Sequence, residues 1–308
     1  MIRFPIDLAE ALVCPGEIRA GGTDVLVRRK LGIARGDLVD LRDLPGLDRV
    51  EDLSAVPEDR GEQASGGVQA GGRMRLGALV RIAGLLADER LSAWPLLLEA
   101  ARSIPPQIRH QATVGGNLLQ RVRCWYFRHP DFPCLKKGGG ICFARIGDHH
   151  QHSCFDLGPC LAPHPSTLGT ALVALDALAE VGGGQALPLV DLLDSGGDQR
   201  REHGLEPGQV LTGIVLPEPW VGGRSGWSRT ASQPKGAWPS VEVAVQIALD
   251  GGRIRAARVV AGAVAIRPLR MTAVEEAISG LAADEALDAA EDAATAGANP
   301  PPGAAWKL

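Results

Sequence analysis

Stretches with a clear hydrophobic period alternate along this chain with stretches that have none. A short run at 17–20 leads into Gly21-Gly22-Thr23 and then the apolar-periodic DVLVRRKL. That order predicts a strand, a glycine turn and a helix over 24–31, capped by Gly32. GDLVDLRDL alternates and predicts a half-buried strand around 38–41. The polar, glycine-rich residues 55–67 predict a surface loop, and VQAGGRMRLG a hairpin turning at Gly71-Gly72. LVRIAGLLAD and WPLLLEAARSI carry a helical period, and TLGTALVALDALAEV predicts a helix followed by a strand. Further on, VEVAVQIAL and RIRAARVVAGAV predict two long antiparallel strands joined at Asp250-Gly251-Gly252. Two helices follow, in PLRMTAVEEAISGL and EALDAAEDAATAG, and then an extended, proline-rich tail. The charged, glycine-rich DSGGDQRREHGLEPG places a domain boundary near 195–208.

Residues 112–165 fit neither period. They are dense in Gly, Cys, His and Pro, and a structureless run of that length inside a compact domain is unusual and commonly functional. Five of the six cysteines lie there, from Cys124 to Cys160. The start of the chain has no uninterrupted apolar stretch of the signal-peptide kind, and no run is long enough to span a membrane, so the expected location is cytoplasmic, with export inside a folded complex on a partner's signal as the alternative. Structural disulfides are disfavoured in that compartment, so the clustering calls for another explanation. The net charge of −4 argues against a general affinity for nucleic acid.

Two segments carry paired glycines flanked by small hydrogen-bonding residues: Ala20-Gly21-Gly22-Thr23-Asp24 and Thr113-Val114-Gly115-Gly116-Asn117. Such loops let a backbone approach a ligand and can turn successive amides toward a pyrophosphate. Each is also compatible with an ordinary turn. Neither matches GxGxxG at a strand–helix junction, and there is no P-loop.

The intervening counts between Cys124, Cys134, Cys142, Cys154 and Cys160 are 9, 7, 11 and 5. No CxxC-type knuckle of the usual zinc spacing is present. An iron–sulfur cluster, a zinc ion and buried free thiols all remain open from spacing alone. Arg121, Arg123, Lys136 and Lys137 would offset the charge of a thiolate-ligated cluster. His149, His150 and His152 are expected in a solvated loop.

These residues resemble a known family. AGGTDVLVRRKLG, IRHQATVGGNLLQ, HPSTLGTALVALDA, VLTGIVLP and VVAGAVAIRPLRMTAVEEAISG, in this order, are similar to the FAD-binding medium subunit of the molybdenum hydroxylases. That family includes the flavin subunits of xanthine dehydrogenase, carbon monoxide dehydrogenase and aldehyde oxidoreductases. RCWYFR, PCLKKGG and GPCLAPHPS resemble the subset with an additional [4Fe–4S] cluster, as in 4-hydroxybenzoyl-CoA reductase. The resemblance implies an α+β fold of the vanillyl-alcohol-oxidase type. A two-subdomain FAD domain over 1–203, with a cluster loop at about 121–163, would precede a small α+β domain over 204–308.

Carried over residue by residue, FAD would be lined by Ala20, Gly21, Gly22, Thr23, Asp24, Val25, Leu26, Val27, Arg28, Thr113, Gly115, Gly116, Asn117, Thr167 and Leu211. At Thr167 the family commonly has Asp. Cys124, Cys134 and Cys142 match the family's cluster loop, and Cys160, after the Gly158-Pro159 turn, is favoured over Cys154 as the fourth ligand. The resemblance also implies a large molybdenum-cofactor partner subunit, a small [2Fe–2S] partner subunit, and an electron-relay role with no catalytic side chain in this chain. Two rivals differ in class. A stand-alone flavoreductase using a nicotinamide nucleotide would have no use for clustered cysteines, and a non-enzymatic metal-binding redox sensor would bind no flavin.

Overall fold

A computed structural model describes residues 1–53, 72–182, 184–233 and 236–308. The loop expected at 55–67 and residues 68–71 of the hairpin expected at Gly71-Gly72 lie outside the described residues.

The chain opens with β1 (Ile2–Arg3), α1 (Leu8–Val13), β2 (Glu17–Arg19), α2 (Val25–Lys30) and β3 (Leu38–Asp40). Asp7 caps α1 through its carboxylate, and Gly32, at φ +74°, lies just past α2. The strands form a small parallel sheet in the order β1-β3-β2. Its central strand β3 is buried along its whole length, more than alternation predicts. Val39 packs on Ala11 and Leu79, while Asp40 on the other side is enclosed by ion pairs to Arg19 and Arg42.

Next come β4 (Val50–Asp52), β5 (Met74–Gly77), α3 (Ile82–Ala87), α4 (Pro95–Ser103), α5 (Pro106–Arg109), α6 (Val114–Leu118) and α7 (Trp125–Arg128). Beyond the irregular segment lie α8 (Thr167–Ala174), β6 (Leu178–Val181), β7 (Gln185–Pro188), α9 (Leu189–Leu192) and β8 (Leu211–Leu216). The strands pair antiparallel in the order β4-β5-β8-β6-β7. The middle strand β8 is fully buried, so it belongs to this sheet and not to the C-terminal sheet. The segment around the boundary expected at 203/204 connects α9 to β8, a strand of this same sheet.

The C-terminal body consists of β9 (Gly223–Ala231), β10 (Pro239–Asp250), β11 (Arg253–Gly262), β12 (Leu269–Arg270), α10 (Thr272–Ile278) and α11 (Ala286–Ala293), with sheet order β12-β11-β10-β9. The turn between β10 and β11 falls on Gly251 and Gly252, at φ +54° and +80°. One face of β10 presents Val241, Val243, Val245 and Ile247 to a core shared with α10 and α11. Its other face turns Ser240, Glu242, Ala244 and Gln246 toward the first body, and these are the more deeply buried set. Helix α8, buried at every position, fills the space between the two bodies. The tail expected to be extended instead winds into a 3₁₀ turn over Pro302–Lys307. It is anchored by Trp306, which stacks on His150 and donates from its indole N–H to the His150 carbonyl.

Candidate functional site

The two glycine segments meet. A Cβ on Gly21 would lie 1.9 Å from the carbonyl oxygen of Gln111, so the loops touch backbone to backbone only because residue 21 lacks a side chain. A Cβ on Gly115 would press on Ala78 at 3.0 Å. The glycines thus serve the approach of one backbone to another, in addition to any approach to a ligand. Gly22 supplies the left-handed φ of +76° that turns the chain into α2.

The second segment is itself helical, because Thr113 caps α6 by accepting the Gly116 amide at 3.1 Å. The Gly115 amide donates to the Ala78 carbonyl at 2.8 Å. Both amides are therefore already engaged within the protein. In the first segment, by contrast, the amides of Gly22, Thr23 and Asp24 have no protein acceptor among the described residues. The residues that carry them line a cavity of about 590 Å³, a size typical of cofactor sites.

The cavity is lined by Ala20, Gly21, Gly22, Thr23, Asp24, Val25, Arg28, Thr113, Gly115, Gly116 and Leu211 of the residues expected there. The other four do not border it. Leu26 and Val27 point outward from α2 and are about half exposed. Asn117 accepts hydrogen bonds from the Ser166 hydroxyl and the Leu168 amide. Thr167 donates to Glu242 at 2.7 Å. Burial pushes the Glu242 carboxyl up to about 7, despite Arg229 nearby. One wall could not be seen in the sequence: Arg200 to Gln209, together with Glu17, Leu47 and Leu79. Its charged composition resembles a linker, yet Glu202 is buried against Arg121 at 2.7 Å and Lys136 at 3.9 Å.

Asp24 joins this cavity to the cysteine segment. Its carboxylate binds Arg28 of its own helix at 2.8 Å, Arg128 at 2.6 Å and Arg123 at 3.0 Å, and accepts the Arg121 amide at 3.2 Å. Burial opposes its charge, but Arg123 and Arg128 outweigh burial and hold the carboxyl below its ordinary range.

Within the segment, Cys124, Cys134, Cys142 and Cys160 line one small cavity with Val122, Phe127, Leu135 and Phe143. Cys154 is not among them. It is buried in the C-terminal core with Phe155 and Val264. Gln199 fixes Cys160 by accepting its amide at 2.7 Å. A hydrogen bond from Cys160 brings the Cys142 thiol down to about 6 and, with burial, drives Cys160 well up. Burial pushes Cys124 up to about 11. Among the described residues no three His, Cys, Asp or Glu side chains converge on one point as a single metal ion requires.

The histidines depart from the solvated loop expected. His149 accepts the Gly303 amide and His150 stacks on Trp306, whereas His152 is buried, with its ring nitrogen 3.2 Å from the Cys124 sulfur.

Residues 15–219 match the FAD-binding domain in molybdopterin dehydrogenase, and residues 228–306 match the CO dehydrogenase flavoprotein C-terminal domain. The chain therefore belongs to the FAD-binding medium subunits of the molybdenum hydroxylase family, and it is an FAD-binding oxidoreductase subunit. It is 33% identical over 268 residues to the aldehyde oxidoreductase FAD-binding subunit PaoB of Escherichia coli K12, covering 84% of this chain and 78% of that one. The fold is shared with the CO dehydrogenase of Oligotropha carboxidovorans, at TM-score 0.69 and 22% identity over 97% of this chain and 87% of that one. It is also shared with quinoline 2-oxidoreductase from Pseudomonas putida 86, at TM-score 0.67 and 19% identity over 97% and 86%. Among the described residues no helix is long and apolar enough to cross a membrane.

Proposed function

We propose that this chain is the electron-relay subunit of a three-component molybdenum hydroxylase. It would exchange electrons between a large molybdenum-cofactor subunit with a small [2Fe–2S] subunit and an external acceptor or donor, through FAD and a [4Fe–4S] cluster of its own. The carrying observation is that Asp24, which lines the glycine-lined cavity, is ion-paired to Arg123 and Arg128, whose chain neighbours Cys124 and Phe127 line the four-cysteine cavity. When bound, FAD supplies one- and two-electron transfer and the cluster supplies single-electron transfer.

The chain's own residues hold and orient these groups. The free amides of Gly22 to Asp24 suit the FAD pyrophosphate, and Ala20 to Val25, Arg28, Thr113, Gly115, Gly116 and Leu211 would line it. Asn117 and Thr167 are engaged away from the cavity, with Ser166 and Glu242. Cys124, Cys134, Cys142 and Cys160 fit a cluster by donor type and by lining one cavity. Lys136 and Arg145 stand near the sulfurs and offset thiolate charge. Leu26, Val27 and Leu31 of the α2 region, 46%, 47% and 42% exposed, leave an apolar strip close to the cavity for a partner subunit. The FAD-binding body would run through Leu216, with the C-terminal body beyond.

No side chain here is assigned to substrate chemistry, which belongs to the molybdenum partner. Purification of the tagged chain from its native host should recover a large molybdenum-containing subunit and a small [2Fe–2S] subunit in fixed ratio. An isolated chain that turns over substrate with full activity would contradict the relay reading.

A further inference from the structure

We infer that His152 donates a hydrogen bond to the cluster-ligating sulfur of Cys124 and raises the cluster's reduction potential; the inference rests on the cluster reading above. The His152 Nε2 atom lies 3.2 Å from the Cys124 Sγ atom. Among the described residues His152 is the one side chain, other than a cysteine, hydrogen-bonded to any of the four sulfurs. A metal-bound thiolate has no proton to give, so the hydrogen of this contact must come from the imidazole.

The rest of the ring's surroundings agree. His152 is 1% exposed, and its Nδ1 atom is buried with no partner. A buried lone pair without a partner is the tolerable half of that arrangement, because the ring's N–H is then the one already engaged at the sulfur. The ring is held in place on its other sides. Trp125 meets it edge to face at 5.0 Å, and the His152 backbone amide donates to the His149 carbonyl at 2.9 Å. That hold reaches to the end of the chain, since His149 accepts the Gly303 amide at 3.0 Å. His152 is thus a positioning residue whose one free polar contact is a sulfur.

Hydrogen bonds to cluster sulfurs stabilise the reduced, more negatively charged form and so raise the potential. The test uses the full-length chain in its complex, with iron content and the cluster's midpoint potential followed by absorbance or electron paramagnetic resonance. His152→Phe keeps a ring of similar shape without the N–H, and His152→Gln restores an N–H donor at a similar reach. His152→Phe should retain iron and shift the cluster potential to more negative values, with the flavin potential unmoved, while His152→Gln should return most of the shift. An unchanged potential in the His152→Phe protein overturns the inference, as does an equal shift in both variants, which would mark a packing effect. If His152→Phe sheds its iron, the His152→Gln protein decides: iron and potential near those of the unsubstituted protein support the inference, and a displaced potential with iron retained overturns it. Absence of iron from the unsubstituted protein overturns the cluster reading itself, a result distinct from all of these.

Discussion

A Gly21→Val protein should purify folded but nearly free of flavin. The reason differs from the one that two glycine-rich phosphate loops would suggest. The side chain at 21 would not enter ligand space first; its Cβ would meet the Gln111 carbonyl oxygen at 1.9 Å, with the carbonyl carbon at 2.8 Å. Both contacts are backbone, so no rotamer relieves them, and the segment carrying the free amides must move away from α5 and α6. Overpacking of this kind costs about 1–3 kcal/mol, sometimes more. If that cost falls on the flavin-bound state, it is roughly a five- to 150-fold loss of affinity. A Gly226→Ala protein serves as the control, because a Cβ there meets nothing within 4 Å and Gly226 has no positive φ. Flavin per chain, read by absorbance after gel filtration with circular dichroism to check folding, distinguishes the two. Full flavin in folded Gly21→Val would show that the junction of the two loops does not shape the FAD site.

Cys160→Ser should abolish the iron content, while Cys154→Ser should leave iron unchanged and lower stability instead. The two positions lie only six residues apart, and their surroundings decide between them. Cys160 borders the same small cavity as Cys124, Cys134 and Cys142, and Gln199 clamps its amide. Cys154 packs with Phe155, Val264 and Met271, and its backbone amide bonds the Val264 carbonyl at 2.9 Å. Burial raises its thiol pKa, as suits a small apolar filler. A hydroxyl placed in that core without a partner costs about 1–3 kcal/mol, which thermal unfolding would register. Iron analysis and visible absorbance on both variants check the pair. Iron lost from Cys154→Ser but kept in Cys160→Ser would reverse the assignment.

A feature is legible in the sequence when its physical signal is local. The β10–β11 hairpin is readable because alternation, length and the Gly251-Gly252 turn all lie within one continuous stretch. The cysteine segment is readable by its lack of any period, and the cluster proposed for it rests on the family resemblance. The five-stranded sheet is not readable, since β5 pairs with β8 across more than a hundred residues and nothing local marks that partnership. The Arg200–Gln209 wall escapes for a related reason. Glu202 and Gln199 have the composition of an exposed linker, and only the folded chain brings Arg121, Lys136 and the Cys160 amide to them. Thr167 marks the limit of carrying residues over from a family: the substitution is visible, but its buried partner Glu242, seventy-five positions away, is not. His152 sits beside two neighbours of the same type, and spacing cannot show that one of the three turns inward to a sulfur.

The proposed relay requires one chain to hold both a flavin and an iron–sulfur cluster, joined through the Asp24 hub. It is tested most directly by the absorbance spectrum of the purified chain, combined with iron and flavin analysis on the same sample. Flavin bands on a broad iron–sulfur shoulder that bleaches on reduction are expected, with one releasable, non-covalent FAD and about four iron atoms per chain. A flavin spectrum without the shoulder and without iron, or bound metal without flavin, would contradict it.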